Sequence, residues 1–256
     1  MNFMVLIFSF LTTTIIILGS LINVIENKLP PFFIKIFKYG KFAYEGEVSK
    51  IASKFVVEVP KSWFKHFYLL ALLIYAYIFY LVTYCYIYKY DAPGWFINFL
   101  RVICGENRIP YTSATKTYIA VVLMTLQVIR RFYDTHFVSV FGKNSRMNLS
   151  QYLIGLVHYP ACALAIVCEA PKFTTESLST TSTTFDIASI TYVNIFAILL
   201  FIWAWWHQHT TTKILANLRR NKKSNQIETI LLSHWWYQKT FDKFPKNRKA
   251  LIPFMY

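Results

Sequence analysis

Five stretches of this chain are each long and apolar enough to constrain everything else about it. They run near Phe3–Ile25, Phe67–Tyr88, Tyr118–Val140, Leu149–Val167 and Ile187–Trp206. Crossing about 30 Å of hydrocarbon takes roughly 20 mostly apolar residues in helical form. A soluble domain of 256 residues with one core has no use for five such runs. The composition agrees: 55% of residues are apolar and only 15% charged, against about a quarter charged in an average soluble domain. The expectation is an all-α, polytopic transmembrane helical bundle of about five full spans with a short C-terminal helix. It forms a single membrane domain over residues 1–256, of which 213–256 make a basic cytosolic tail. The first run lacks a basic leading segment and a small-residue cleavage site, so it reads as a retained anchor.

The placement of cations then orients the chain. Lys and Arg number eight in 26–65, four in 130–146 and ten in 213–249, against four in 89–116 and one in 169–186. Cytoplasmic loops carry the excess of Lys and Arg. An N-terminus in the lumen and a C-terminus in the cytosol puts 22 cations on the cytosolic side and 5 opposite. The net charge of +15 comes without any recognisable nucleic-acid module, so nucleic acid is not the expected partner. Residues Pro93–Ile103 are too few to span and suit a helix lying in the interface. They would serve equally as a lid over a lipid entry path. Cys85, Cys104, Cys162 and Cys168 show neither metal-ligand nor disulfide-framework spacing and read as small buried hydrophobes; no metal is expected. No broken-helix pair or inverted repeat suggests a transporter.

Ionisable groups at the ends of spans are the candidates for chemistry, because a charge in lipid costs several kcal/mol unless paired or wet. Arg130 and Arg131 close the third run, with snorkelling to the interface as the plain alternative. His207, Gln208 and His209 close the fifth, and the helix should continue through Ile214–Arg219. Asn217, Arg219, Arg220 and Lys222 would emerge at its far end, where an arginine fork and a lysine charge suit phosphate or simply mark the cytosolic side. His234 and Tyr237 are spaced to share a helix face, and Arg248 and Lys249 follow a Phe-Pro turn. His66 opens the second run. There is no G-x-G-x-x-G and no P-loop, so a nucleotide site would be of another kind.

Four separated blocks carry a resemblance. They are Val59-Pro60 leading to Phe64-Lys65-His66-Phe67-Tyr68; Arg130-Arg131-Phe132-Tyr133 with Phe137-Val138-Ser139-Val140-Phe141; Trp206-His207-Gln208 with Ile214-Leu215-Ala216-Asn217-Leu218-Arg219-Arg220-Asn221-Lys222; and the tail His234-Trp235-Trp236-Tyr237, Phe241, Phe244-Pro245, Arg248-Lys249, Ile252-Pro253-Phe254. In this order they resemble the steroid 5α-reductase family, polyprenal reductase branch. The resemblance implies an endoplasmic reticulum membrane enzyme that uses NADPH to reduce the α-isoprene double bond of polyprenal, a long-chain polyprenoid lipid, on the route to dolichol. It implies cofactor binding by Arg131, Gln208, Asn217, Arg219, Lys222, His234 and Arg248, and carbonyl polarisation by Tyr237 or His66, the latter standing where steroid-reducing members carry a Gln-Glu pair. It also exposes a departure. Relatives continue after the Asn-Leu-Arg block through a cofactor-holding segment and about two more crossings, whereas only about eleven residues separate Lys222 from His234 here. The chain reads as a member lacking one internal block near Lys223–Ser224. That leaves a catalytically inactive isoform, and 3-oxo-5α-steroid 4-dehydrogenase activity, as alternative expectations.

Overall fold

The computed structural model of the chain describes residues 2–25, 28–29, 57–142, 145–174 and 182–220. Six α-helices are numbered here over those residues: α1 Phe3–Ile25, α2 Phe64–Tyr86, α3 Gly94–Cys104, α4 Ala114–Tyr133, α5 Leu149–Val167 and α6 Tyr192–Arg220. A π-helical turn, Asp134–Val138, prolongs α4. By length and composition three helices can cross a membrane: α1, α2 with its preceding turn, and α5. α4 and α6 are helices where two further spans are expected, but α4 ends on Arg130 and Arg131 and the second half of α6 is polar. The chain is a helical membrane protein; the count of five spans goes beyond what hydropathy supports.

α2 is the centre of the bundle, packing most extensively on α4 and next on α5. Ala71, Tyr75, Val82 and Cys85 are fully buried along it, with Val121 and Val128 of α4 and Ala163 and Val167 of α5. Gly155 lets α5 approach closely: a Cβ there would lie 3.1 Å from the Phe67 ring. Pro160 lies inside α5. α1 and α6 instead leave wide apolar faces uncovered, among them Phe10, Ile15, Phe196 and Trp203. Apolar surface on that scale suits contact with lipid or another protein rather than water.

Both ends of the bundle are tied. At one end a two-stranded antiparallel ribbon pairs β1, Glu58–Pro60, with β2, Arg146–Asn148. It is a departure from the all-α expectation. Its strands lead directly into α2 and α5, so it sets the starts of those helices side by side. The amide of Lys61 extends the ladder to the Ser145 carbonyl (2.9 Å), as Leu149 does to Val57 (2.8 Å). At the other end α3 stops at Gly105, whose φ of 93° lies in the region that favours glycine. The loops there are pinned by Tyr86 donating to the Pro171 carbonyl and by Lys172 donating to the carbonyls of Lys89 and Tyr90.

Candidate functional site

The residues expected to carry chemistry gather at the ribbon end, where α2, α4, α5 and α6 meet. Arg131 projects from the last turn of α4 onto the buried Tyr68 of α2. Its Nε and Nη2 both donate to the phenol oxygen, at 3.1 and 2.8 Å, and its guanidinium carbon sits 4.8 Å from that ring's centroid. Among the described residues no carboxylate pairs with Arg131, so its charge is held by a neutral group. One turn earlier, Gln127 donates to Gln208 of α6 (2.8 Å). Arg130 lies 3.9 Å above the Trp205 ring, well within the distance at which an aromatic face attracts a cation. Arg219, exposed at the end of α6, donates to the Val140 carbonyl (2.8 Å), and Asn217 is exposed beside it.

His66 takes a different direction. Its Nδ1 lies 3.1 Å from the Tyr152 hydroxyl of α5, and Trp63 packs on both rings. Tyr68, two residues on, faces α4 instead, so α2 separates His66 from Arg131. Aromatic contacts join the two sides: Phe67 meets Tyr152 and Tyr159, and Tyr68 meets Tyr159. At the same end a cavity of about 580 Å³ opens between α1 and α5, lined by Phe64 of α2 but not by His66. Phe8, Leu11, Ile15 and Ile154 give it apolar walls, and Lys61, Arg146 and Gln151 make one polar side. Lys222, His234, Tyr237 and Arg248 lie outside the described residues.

The site contains a pair that the sequence reading passed over. Asp134, fully buried in the π turn, holds His209 of α6 through Oδ1 and Nδ1 at 2.7 Å. Its Oδ2 has no partner. His209 carries the span-edge signal and stands among the expected candidates; Asp134, an ionisable residue at the edge of a span beside Arg131, carries it too, but nothing local ties the two together. Tyr68 and Tyr152 carried no such signal; only packing shows what they hold. Among the described residues no group of three His, Cys, Asp or Glu side chains is placed to hold a metal ion.

Arg130, Arg131 and Arg219 thus give this end of a helical membrane bundle a basic edge, and an apolar cavity opens at the same end. Comparison with known proteins gives the family. The family described as 3-oxo-5-alpha-steroid 4-dehydrogenase matches residues 224–256. Polyprenal reductase of Drosophila melanogaster is 30% identical, with 99% of this chain and 93% of the relative covered. Those of Caenorhabditis elegans and Homo sapiens are 29% and 24% identical, over 85% and 92% of this chain. No solved structure matches. The chain therefore belongs to the steroid 5α-reductase family of oxidoreductases, in its polyprenal reductase branch. The fly alignment runs over 309 positions, so at least 53 of them have no counterpart among the 256 residues here. The family match also begins at residue 224, next to the seam expected at Lys223–Ser224.

Proposed function

We propose that this protein reduces the α-isoprene double bond of polyprenal with NADPH, on the route to dolichol, in the endoplasmic reticulum membrane. The observation that carries the reading is the end-to-end likeness to polyprenal reductases. The placement of Arg131 supports it: a guanidinium that among the described residues bonds only a phenol keeps charge and N–H groups to offer a phosphate. The residues present thus fit an anionic dinucleotide. Arg131, Gln208, Asn217 and Arg219 would hold it from α4 and α6, and Lys222, His234 and Arg248 would close over it from the tail. When bound, the cofactor supplies hydride to the β-carbon of the conjugated enal.

The chain's own groups serve the carbonyl. Negative charge develops on that oxygen, and a prepositioned donor there is among the largest rate effects known. When the Tyr152 phenol donates to Nδ1 of His66, the ring proton lies on Nε2, free to donate to the aldehyde oxygen. Tyr237 is the second candidate for that role. The polyprenoid tail would lie in the apolar cavity between α1 and α5, whose wall residues Phe64 and Gln151 are within two positions of His66 and Tyr152 in the sequence. In this arrangement the chain crosses the membrane five times, with the N-terminus in the lumen and residues 213–256 in the cytosol. α6 runs unbroken to Arg220, so the tail starts as a continuation of that helix.

The internal block absent before the tail would remove part of the cofactor pocket, and orientation of reactants carries much of an enzyme's rate. The test uses purified protein in lipid nanodiscs, as the 256-residue chain and as a form with the fly relative's intervening segment inserted after Lys223. Polyprenal-dependent NADPH oxidation by the longer form, and weaker NADPH binding by the shorter one, are expected. No polyprenal-dependent oxidation by either form would overturn the assignment.

A further inference from the structure

Cys104 and Cys168 lie 64 positions apart and in sequence look like two unrelated small hydrophobes. Folding brings them together at the end of the bundle away from the cofactor edge. Cys104 is the last residue of α3 and Cys168 follows α5 directly. Both are buried in the same core cluster, near enough for each thiol to shift the other's titration, while the Cys168 thiol donates to the Ala165 carbonyl at 3.4 Å. Arg108, itself buried, locks the arrangement. Its Nε donates to the carbonyl of Gly105, next to Cys104, at 3.0 Å. Its Nη1 donates to the carbonyls of Cys168 (2.7 Å) and Phe173 (2.9 Å). The remaining Nη2 is buried with no partner among the described residues, a cationic donor left over near the two thiols. A polar cavity of about 630 Å³, lined by Cys104, Arg108, Glu106 and Glu169, gives this corner a route to water.

We propose that Cys104 and Cys168 form a dithiol–disulfide pair that reacts with a low-molecular-weight disulfide and, once oxidised, clamps α3 to the end of α5. The chemistry needs one thiolate, and the surroundings select it. The neighbouring Cys168 thiol, aided by the Arg108 charge, holds the Cys104 thiol below the usual thiol range despite its burial. Proximity to Cys104, together with burial, pushes the Cys168 thiol up. A thiolate is the attacking species in exchange, and Cys104 is the one that lines the cavity. Its sulfur attacks one sulfur of the external disulfide, a mixed disulfide forms, and one thiolate leaves. Cys168 then gives up its proton and attacks the Cys104 sulfur, expelling the second thiolate. The external disulfide is reduced to two thiols and the protein is oxidised by two electrons. The charge count puts this corner in the lumen, where the redox balance permits disulfides, but the reaction itself does not depend on that orientation.

The full chain in nanodiscs is treated with glutathione disulfide, alkylated under denaturing conditions, digested and examined by mass spectrometry. The expected product is a linked pair of peptides containing Cys104 and Cys168, lighter by two hydrogens and separated by dithiothreitol, with Cys85 and Cys162 alkylated in every sample. C168S should trap glutathione on Cys104, and C104S should leave Cys168 free of it. Free alkylation of both cysteines after oxidation, a link through Cys85 or Cys162, or an adduct on Cys168 in C104S would overturn the proposal. The wild-type peptide map decides the matter even where a serine variant folds poorly. Retained polyprenal reduction does not bear on it, which keeps this test separate from that of the proposed activity.

Discussion

Replacing Asp134 by leucine tests whether the π turn and α6 are joined by one buried pair. The carboxylate is fully buried and its Oδ1 meets His209 Nδ1 at 2.7 Å. The variant leaves His209, which is 6% exposed, with that nitrogen unpaired. Stranding one buried partner costs about 1–3 kcal/mol, and about 3–5 where the pair is ionised. His209→Leu should cost at least as much, because Oδ2 of Asp134 already lacks a partner and Oδ1 would lose its own. Changing both residues to leucine strands neither, and apolar replacement of a buried pair is often close to neutral. The double variant should therefore be more stable than the sum of the single losses predicts, with a coupling of about 1–3 kcal/mol. For a chain of this size each kcal/mol moves a thermal midpoint by roughly 2–4 °C. The assay is thermal unfolding of the four proteins in matched nanodiscs, scanned at one fixed rate. Costs that add to within about 0.5 kcal/mol would refute the reasoning and reduce the contact to two neighbours with separate environments.

Three further outcomes are expected. Tyr68→Phe removes the oxygen that receives both Arg131 donors; a hydrogen bond to a charged group is worth about 1.5–3 kcal/mol. On the proposed function the NADPH KM of the active form should rise roughly 10–100-fold, with turnover at saturation changed far less, as steady-state kinetics will read. In the form with the block restored, Tyr237→Phe should slow polyprenal reduction in microsomes more than Trp235→Phe, since loss of a phenol donor to developing charge costs a few kcal/mol; equal rates would remove Tyr237 from the site. The Asn148-Leu149-Ser150 sequon should stay unglycosylated, because Asn148 is 8% exposed and held in β2 against Glu58; an endoglycosidase-sensitive mass shift lost in Asn148→Gln would contradict both the ribbon and the orientation.

The helices were legible because their signal is local. α1 and α5 fall on the boundaries that the apolar runs predict, and α3 is a short helix where the Pro93–Ile103 stretch was too brief to span. The helix through Ile214–Arg219 also forms as expected. The second, third and fifth runs are displaced from α2, α4 and α6 because hydropathy marks where lipid begins, whereas a helix ends where its capping and backbone hydrogen bonds end. Asp186, for example, accepts from Ala188 in a short turn before α6 starts. The ribbon was not legible: Glu58–Pro60 and Arg146–Asn148 are three residues each, and neither has a pattern until the other lies beside it.

The same division holds for the site. Residue type and position at a span edge marked Arg131, Arg219 and His66 as candidates, since the cost of a charge near lipid is a property of the residue and its depth, and the family resemblance gave them and Gln208 their expected roles. What each of them touches was decided by packing: Tyr68 for Arg131, Gln127 for Gln208, the Val140 carbonyl for Arg219, Tyr152 for His66. Asp134 with His209, and Cys104 with Cys168, are pairs that exist only because helices remote in sequence cross at one depth. Sequence by itself determined which segments are helical and which groups carry charge or a thiol, because those depend on composition over a few turns. Only the tertiary structure decided who meets whom, because a partner 75 or 64 positions away leaves no local trace.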